Sequence, residues 1–233
     1  MPRSRLFTLA LAAGMALALV RPALPAPVAA ADDEVGKIEE SVRVLDEMMS
    51  QADKSIPLEL MEKCAGVAII PGVIRAAYII GGRHGNGILL VKRAGSWSNP
   101  VFISLTGGSL GWQIGVQSAD VILVFMTERS VENITRGKFT LGADAGLAVG
   151  PLGRNAQAST DVKLKAEIYS YSRSKGLYAG LSLQGANLRV DRKADERFYE
   201  TSGVLPGTVF DGRVEHVPEV VNTIKRALEK YSR

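Results

Sequence analysis

Between Asp33 and Met49 the apolar residues Val35, Ile38, Val42, Leu45 and Met49 return at steps of three and four, the spacing of one stripe on an α-helix. Glu39, Glu40, Arg43, Asp46 and Glu47 fill the opposite face. An anionic membrane would repel such a face, so the pattern predicts a helix docked on the rest of the chain. Pro57 suits the first turn of a second short helix over Leu58 to Cys64. Beyond Gly66 the texture changes to short apolar runs punctuated by glycine: Val67 to Ile70, Ile88 to Val91, Val101 to Leu105 and Val121 to Met126. These predict strands, the last of them buried on both faces. Thr127 opens a short helix with Val131 and Ile134 on one side and Gly137 at its end. Val162, Leu164, Ala166 and Ile168 alternate with polar residues, and Leu177, Ala179, Leu181 and Leu183 alternate again after Ser172 to Gly176. That pair predicts a hairpin turning at 172–176. From Pro218 a closing helix carries Val220, Val221, Ile224, Ala227, Leu228 and Tyr231, with Lys225, Arg226, Lys230 and Arg233 toward its end as the helix dipole favours.

These elements predict an α+β fold: a single β-rich domain, an antiparallel barrel or sandwich, with an N-terminal amphipathic helix and a C-terminal helix. Three segments are expected. Residues 1–31 read as a secretory signal, with Arg3 and Arg5 before a 15-residue apolar run from Leu6 to Val20 and small residues up to Ala31 for cleavage. The run is short for a bilayer span, which takes about 20 residues. Residues 32–62 form the acidic helical segment, and residues 63–233 the β-rich body with its closing helix. Export would place the mature chain in the periplasm or outer cell envelope.

Composition narrows the chemistry. With 46% apolar and 22% charged residues the chain is globular, not disordered or fibrous. Without residues 1–31 it carries 25 basic and 24 acidic residues, so the overall pI of about 9.2 says little about partners. The asymmetry matters more: residues 32–62 have a net charge of −7 and residues 63–233 of +8. One cysteine, Cys64, and two histidines, His84 and His216, leave no multi-thiolate metal site and little imidazole chemistry.

Candidate motifs resolve mostly into packing and turns. Gly81-Gly82-Arg83-His84-Gly85-Asn86-Gly87 suggests a phosphate loop, but it lacks the Gly-Lys-Ser/Thr ending and is followed by an apolar run, so a hairpin turn is expected. A Cys64 nucleophile paired with His84 or His216, or an acid pair of Asp120 and Asp144, finds no support in spacing. Lys163, Lys165, Arg173 and Lys175 make a basic stripe along the predicted hairpin. Lys165 and Arg173 lie roughly 26 Å apart at about 3.3 Å per residue, suited to an extended anionic surface or to plain solvation, not to one small head group.

Ala65 to Pro71, the glycine cluster 81–87, Trp97-Ser98-Asn99-Pro100, Gln113-Ile114-Gly115 with Asp120, Gly150-Pro151-Leu152-Gly153-Arg154 and Tyr169 to Leu177 together resemble the SYLF family, over roughly residues 38–215. Fungal members give the family its other label, an actin-binding domain. The resemblance implies a non-enzymatic binding module without cofactor or metal, in an exported bacterial member one that binds lipid. It implies Arg154, Arg173 and Lys175, with Lys163 and Lys165 beside them, for anionic lipid contact, and Trp97 for interfacial insertion. Trp97 also suits the core, and Arg154 suits capping of strand-end carbonyls. Where the family usually has Tyr-Gly, this chain has Tyr199-Glu200. The expected partner is an anionic lipid or membrane surface, with an envelope protein docking on the acidic helix as the alternative. Neither nucleic acid nor actin is expected as a partner of an exported chain.

Overall fold

A computed structural model describes residues 28–51, 55–137, 139–153, 166–174, 177–178 and 182–232. The predicted signal run at 6–20 and most of the first alternating strand, 161–165, lie outside them. Two long strands dominate: β1 (Gly66–Arg93) and β3 (Val101–Phe125), joined through the two-residue β2 (Ser96–Trp97). They pair antiparallel from Gly66↔Phe125 to Leu89↔Val101. The sheet runs β2-β1-β3-β6-β5, with β6 (Ile168–Ser174) on the far half of β3 and β5 (Leu147–Val149) parallel to β6. β7 (Leu177–Tyr178) turns back on β6, while β8 (Asn187–Val190) joins the near half of β3 to β4 (Phe139–Thr140). The result is a mixed α+β fold around a curled, half-barrel sheet, with a helix at each end of the described chain.

The glycine cluster 81–87 is not a hairpin turn. It is the middle of β1, paired with residues 103–109 of β3. Its burial alternates strictly, with Gly81, Arg83, Gly85 and Gly87 inward and Gly82, His84 and Asn86 outward. The runs 67–70 and 88–91 are therefore two ends of one strand, which doubles back so that Lys92 N–H donates to the Ala65 carbonyl at 2.9 Å. Glycine is needed where the ends cross: a Cβ on Gly87 would sit 2.7 Å from Ile70 Cα, and one on Gly66 would sit 2.9 Å from the Leu90 carbonyl oxygen. The hairpin is likewise shifted. β6 runs through Arg173 and Ser174, with Arg173↔Tyr178 and Ser174↔Leu177 paired, so 172–174 of the expected turn belong to the strand, and 175–176 lie outside the described residues.

Val121, Ile122, Leu123, Val124 and Phe125 are all buried, as a strand covered on both faces requires. The helix α1 (Val28–Met49) packs on this core through Ile38, Val44, Leu45 and Met48. Its buried stripe is rotated slightly from the predicted one and includes Glu34 and Ser41, with Val35 and Val42 at the flank. Acidic residues of α1 tie it to the body: Glu34 pairs with Arg197 of α4 (Arg192–Phe198), Glu47 with Arg173 of β6, and Asp46 accepts from Tyr231 of α6 (Val220–Tyr231) at 2.7 Å. The acidic helix is thus docked on the basic body, its apolar stripe spent inside the molecule. α2 (Leu58–Lys63) follows Pro57, and α3 (Glu128–Thr135) is capped by the Thr127 side chain, which accepts from Ser130 N–H. The sequence pattern did not predict α4 or the five-residue α5 (Pro206–Phe210).

Candidate functional site

Away from the core, β1 and β3 form an arch. β6 pairs with β3 only at 120–125 and β8 only at 103–106, so among the described residues the stretch 107–119 of β3 has β1 as its sole strand partner. Ile74 and Ala76 face outward opposite Ser118 and Val116, which places all four on one face of the ribbon. Ile74 is 52% and Val116 76% exposed, an apolar diagonal pair facing solvent.

Val116 is also the rim of a groove of about 490 Å³ lined by residues 116–120 of β3 with Arg173 and Ser174 of β6. Its walls are fixed by hydrogen bonds: Ser174 Oγ donates to the Ser118 carbonyl at 2.8 Å, and Asp120 accepts from Gly72 N–H at 2.9 Å. Gly72 has φ +57°, the left-handed turn that the bulge between Ile70 and Val73 needs. Arg173 stands opposite Asp120 in the register, yet its guanidinium is paired with Glu47 of α1. One basic residue expected to meet lipid is therefore brought to a groove but already holds a carboxylate.

Trp97 has the core role. It is only 4% exposed, its indole N–H donates to Ser232 Oγ at 3.0 Å, and Lys92 Nζ lies 5.3 Å from its ring centre. Its neighbours are equally enclosed: Ser98 Oγ accepts from Val91 N–H at 3.0 Å, and Asn99 Oδ1 accepts from Lys225 at 2.7 Å. The Trp-Ser-Asn-Pro motif ties the β1–β3 connection beneath α6, and interfacial insertion is not available to Trp97 in this packing. Arg154, Lys163, Lys165 and Lys175 lie outside the described residues.

Groups with catalytic potential are otherwise engaged. Cys64 is buried, its thiol bonded to the Met61 carbonyl at 3.1 Å and pushed up to about 11 chiefly by burial, which makes it a poor nucleophile. Asp144 accepts from Thr140 N–H at 2.6 Å, a turn role like that of Asp120. Among the described residues no cluster of His, Cys, Asp or Glu could hold a metal ion, and no helix is long and apolar enough to cross a membrane. Besides Glu34, two buried ionisable groups escaped the sequence pattern. Asp195 accepts from Phe102 N–H at 2.8 Å, and its carboxyl is pushed up to about 7, mainly by burial. Arg83, inside the glycine cluster, is 8% exposed.

Comparison with known proteins places the chain in a family. The family model Ysc84, described as Las17-binding protein actin regulator, matches residues 106–231. The chain is 34% identical over 207 residues to SH3 domain-containing YSC84-like protein 1 of Rattus norvegicus, covering 85% of this chain and 60% of that one. The human protein of the same name is 34% identical over 170 residues, 71% of this chain and 49% of its own. LAS seventeen-binding protein 3 of Saccharomyces cerevisiae is 31% identical over 182 residues, 76% of this chain and 39% of the yeast protein. The chain belongs to the Ysc84, or SYLF, family. It spans between about two fifths and three fifths of the length of these curated relatives.

Proposed function

We propose that this chain is a non-enzymatic module that binds an anionic lipid or membrane surface, exported to the periplasm or outer envelope. The observation that carries the reading is the exposed apolar pair Ile74 and Val116 on a two-stranded ribbon, contiguous with the groove that holds Arg173. Magnitudes decide how it would work. Burying two such side chains contributes at most about 3–6 kcal/mol, and partial burial in the interface less, which corresponds to roughly millimolar binding. Useful affinity therefore needs charge, at about 1 kcal/mol per Lys or Arg near an anionic leaflet. Arg173, once Glu47 releases it, and Arg154, Lys163, Lys165 and Lys175 are the cations assigned to that contact. The test is flotation of the mature chain, residues 32–233, with neutral and with anionic vesicles across a salt series. Flotation with anionic vesicles that is lost at high salt is expected; no flotation with any lipid overturns the reading.

A second reading has its own support. The family description and the yeast relative's name speak of binding Las17 and of actin regulation. A protein partner of that kind would use a surface other than the apolar stripe of α1, which is already buried. Co-sedimentation with actin filaments and with candidate envelope proteins, in parallel with flotation, separates the two.

A further inference from the structure

Arg83 is a cation in an unusual setting. Its position on β1 points into the bent ribbon, and its backbone stands opposite Gly107. A Cβ on Gly107 would come 3.0 Å from Arg83 Nε and 3.3 Å from Arg83 Cδ, so glycine there makes room for the arginine stem. One terminal nitrogen donates to the Ser182 carbonyl and the other to the Gly108 carbonyl at 3.1 Å. Nε has no hydrogen-bond partner among the described residues, and no carboxylate of those residues pairs with Arg83.

Elsewhere the molecule treats its enclosed charges differently. Arg173 has Glu47, and the buried Glu34 has Arg197. Burying a guanidinium is costly unless a counter-charge accompanies it, and two carbonyl dipoles supply hydrogen bonds without net charge. A guanidinium has five N–H donors. Two are used here, which leaves the Nε proton and one on each terminal nitrogen, a fork that matches an oxyanion. Burial, with a smaller contribution from the charge of Arg75, pushes the Arg83 guanidinium below its ordinary range. A guanidinium fork with no acid beside it among the described residues favours an oxyanion.

We infer that the inner face of the bent β1–β3 ribbon is an oxyanion site, in which Arg83 supplies the fork for a phosphate group. This deepens the membrane-surface reading and rests on it only for the source of the phosphate, which is a lipid head group if that reading holds and a free phosphate if it does not.

Thermal unfolding and titration calorimetry on the full chain test it without a bilayer, using inorganic phosphate and a monomeric short-chain phosphatidic acid against sodium chloride at constant ionic strength. Phosphate is expected to raise the melting temperature with saturation, and Arg83→Gln to abolish the rise. Arg83→Lys keeps the charge but not the fork, and is expected to bind about tenfold more weakly. Should Arg83→Gln fail to fold, the calorimetric titrations of wild type and Arg83→Lys decide. A shift with phosphatidic acid and phosphate alike identifies a head-group site; a shift with inorganic phosphate alone keeps the site and assigns it to free phosphate. No difference between phosphate and chloride in the wild type, or equal binding by wild type and Arg83→Lys, overturns the inference, whatever flotation shows.

Discussion

The two strands that organise this molecule behave oppositely at their two ends. At the closed end, residues 121–125 of β3 lie between β1 and β6, and every side chain is buried. In the arch, residues 107–119 have one described strand partner, and Ile74 and Val116 face solvent. The closed end pairs in regular register, whereas the arch carries register shifts at Ile70/Val73 and Ala77/Ile79, and coverage differs as well. A β-branched run with neighbours on both edges has no freedom left and serves as scaffold. In the arch, the exposed side chains of Ile74 and Val116 are free to meet something else.

Substitutions can break that contrast. Phe125→Ala is expected to cost about 3–5 kcal/mol in denaturant unfolding, whereas Val116→Ala should change stability by no more than about 0.5 kcal/mol. Equal costs would erase the distinction between scaffold and arch. Next in size, Gly87→Ala pushes a methyl group against the backbone of Ile70 where β1 crosses itself, and should cost about 1–3 kcal/mol. Gly82→Ala, on the outward face five residues earlier, should stay within about 0.5 kcal/mol.

Asp195 sharpens the comparison through pH, because it caps the start of β3 at the closed end. Its carboxyl holds a proton up to about 7 when folded, against about 3.9 for an unfolded aspartate. Between those values the native state binds more protons, so this group's contribution to stability falls as pH rises from about 4 to about 7 and is constant above. Asp195→Asn keeps an acceptor for Phe102 N–H and removes the slope. The variant should gain on wild type by about 1–3 kcal/mol between pH 5 and pH 8, read from melting curves across that range. The smallest effect is at Glu200, which follows the C-terminus of α4 at φ +50°, the left-handed position that favours glycine. Glu200→Gly should stabilise by about 0.5–1 kcal/mol in the same assay.

Much of this fold is visible locally. The run Val121 to Met126, the Thr127 cap and the stripe of α6 each follow from neighbours within one or two turns. What escaped depends on distant contacts. Glycines 81–87 look like a turn because the reason for them, the passage of Ile69 and Ile70 over Gly87, comes from the other end of the same strand. The rotated stripe of α1 includes Glu34, whose partner Arg197 is distant in the chain. Trp97 reads equally well as anchor or core until α6 covers it. Of the candidate site, the sequence pointed to Arg173 but not to its partner Glu47, 126 residues away. Tyr199-Glu200, by contrast, was legible as a departure from the family's Tyr-Gly, and the left-handed backbone shows why glycine belongs there.

The central claim is that the arch binds and the closed end supports. Flotation of the double variant Ile74→Asp/Val116→Asp on anionic vesicles, beside wild type and with both melting temperatures measured, tests it most directly. The account predicts an unchanged melting temperature and loss of flotation. A variant that melts with wild type and still floats equally well would contradict it.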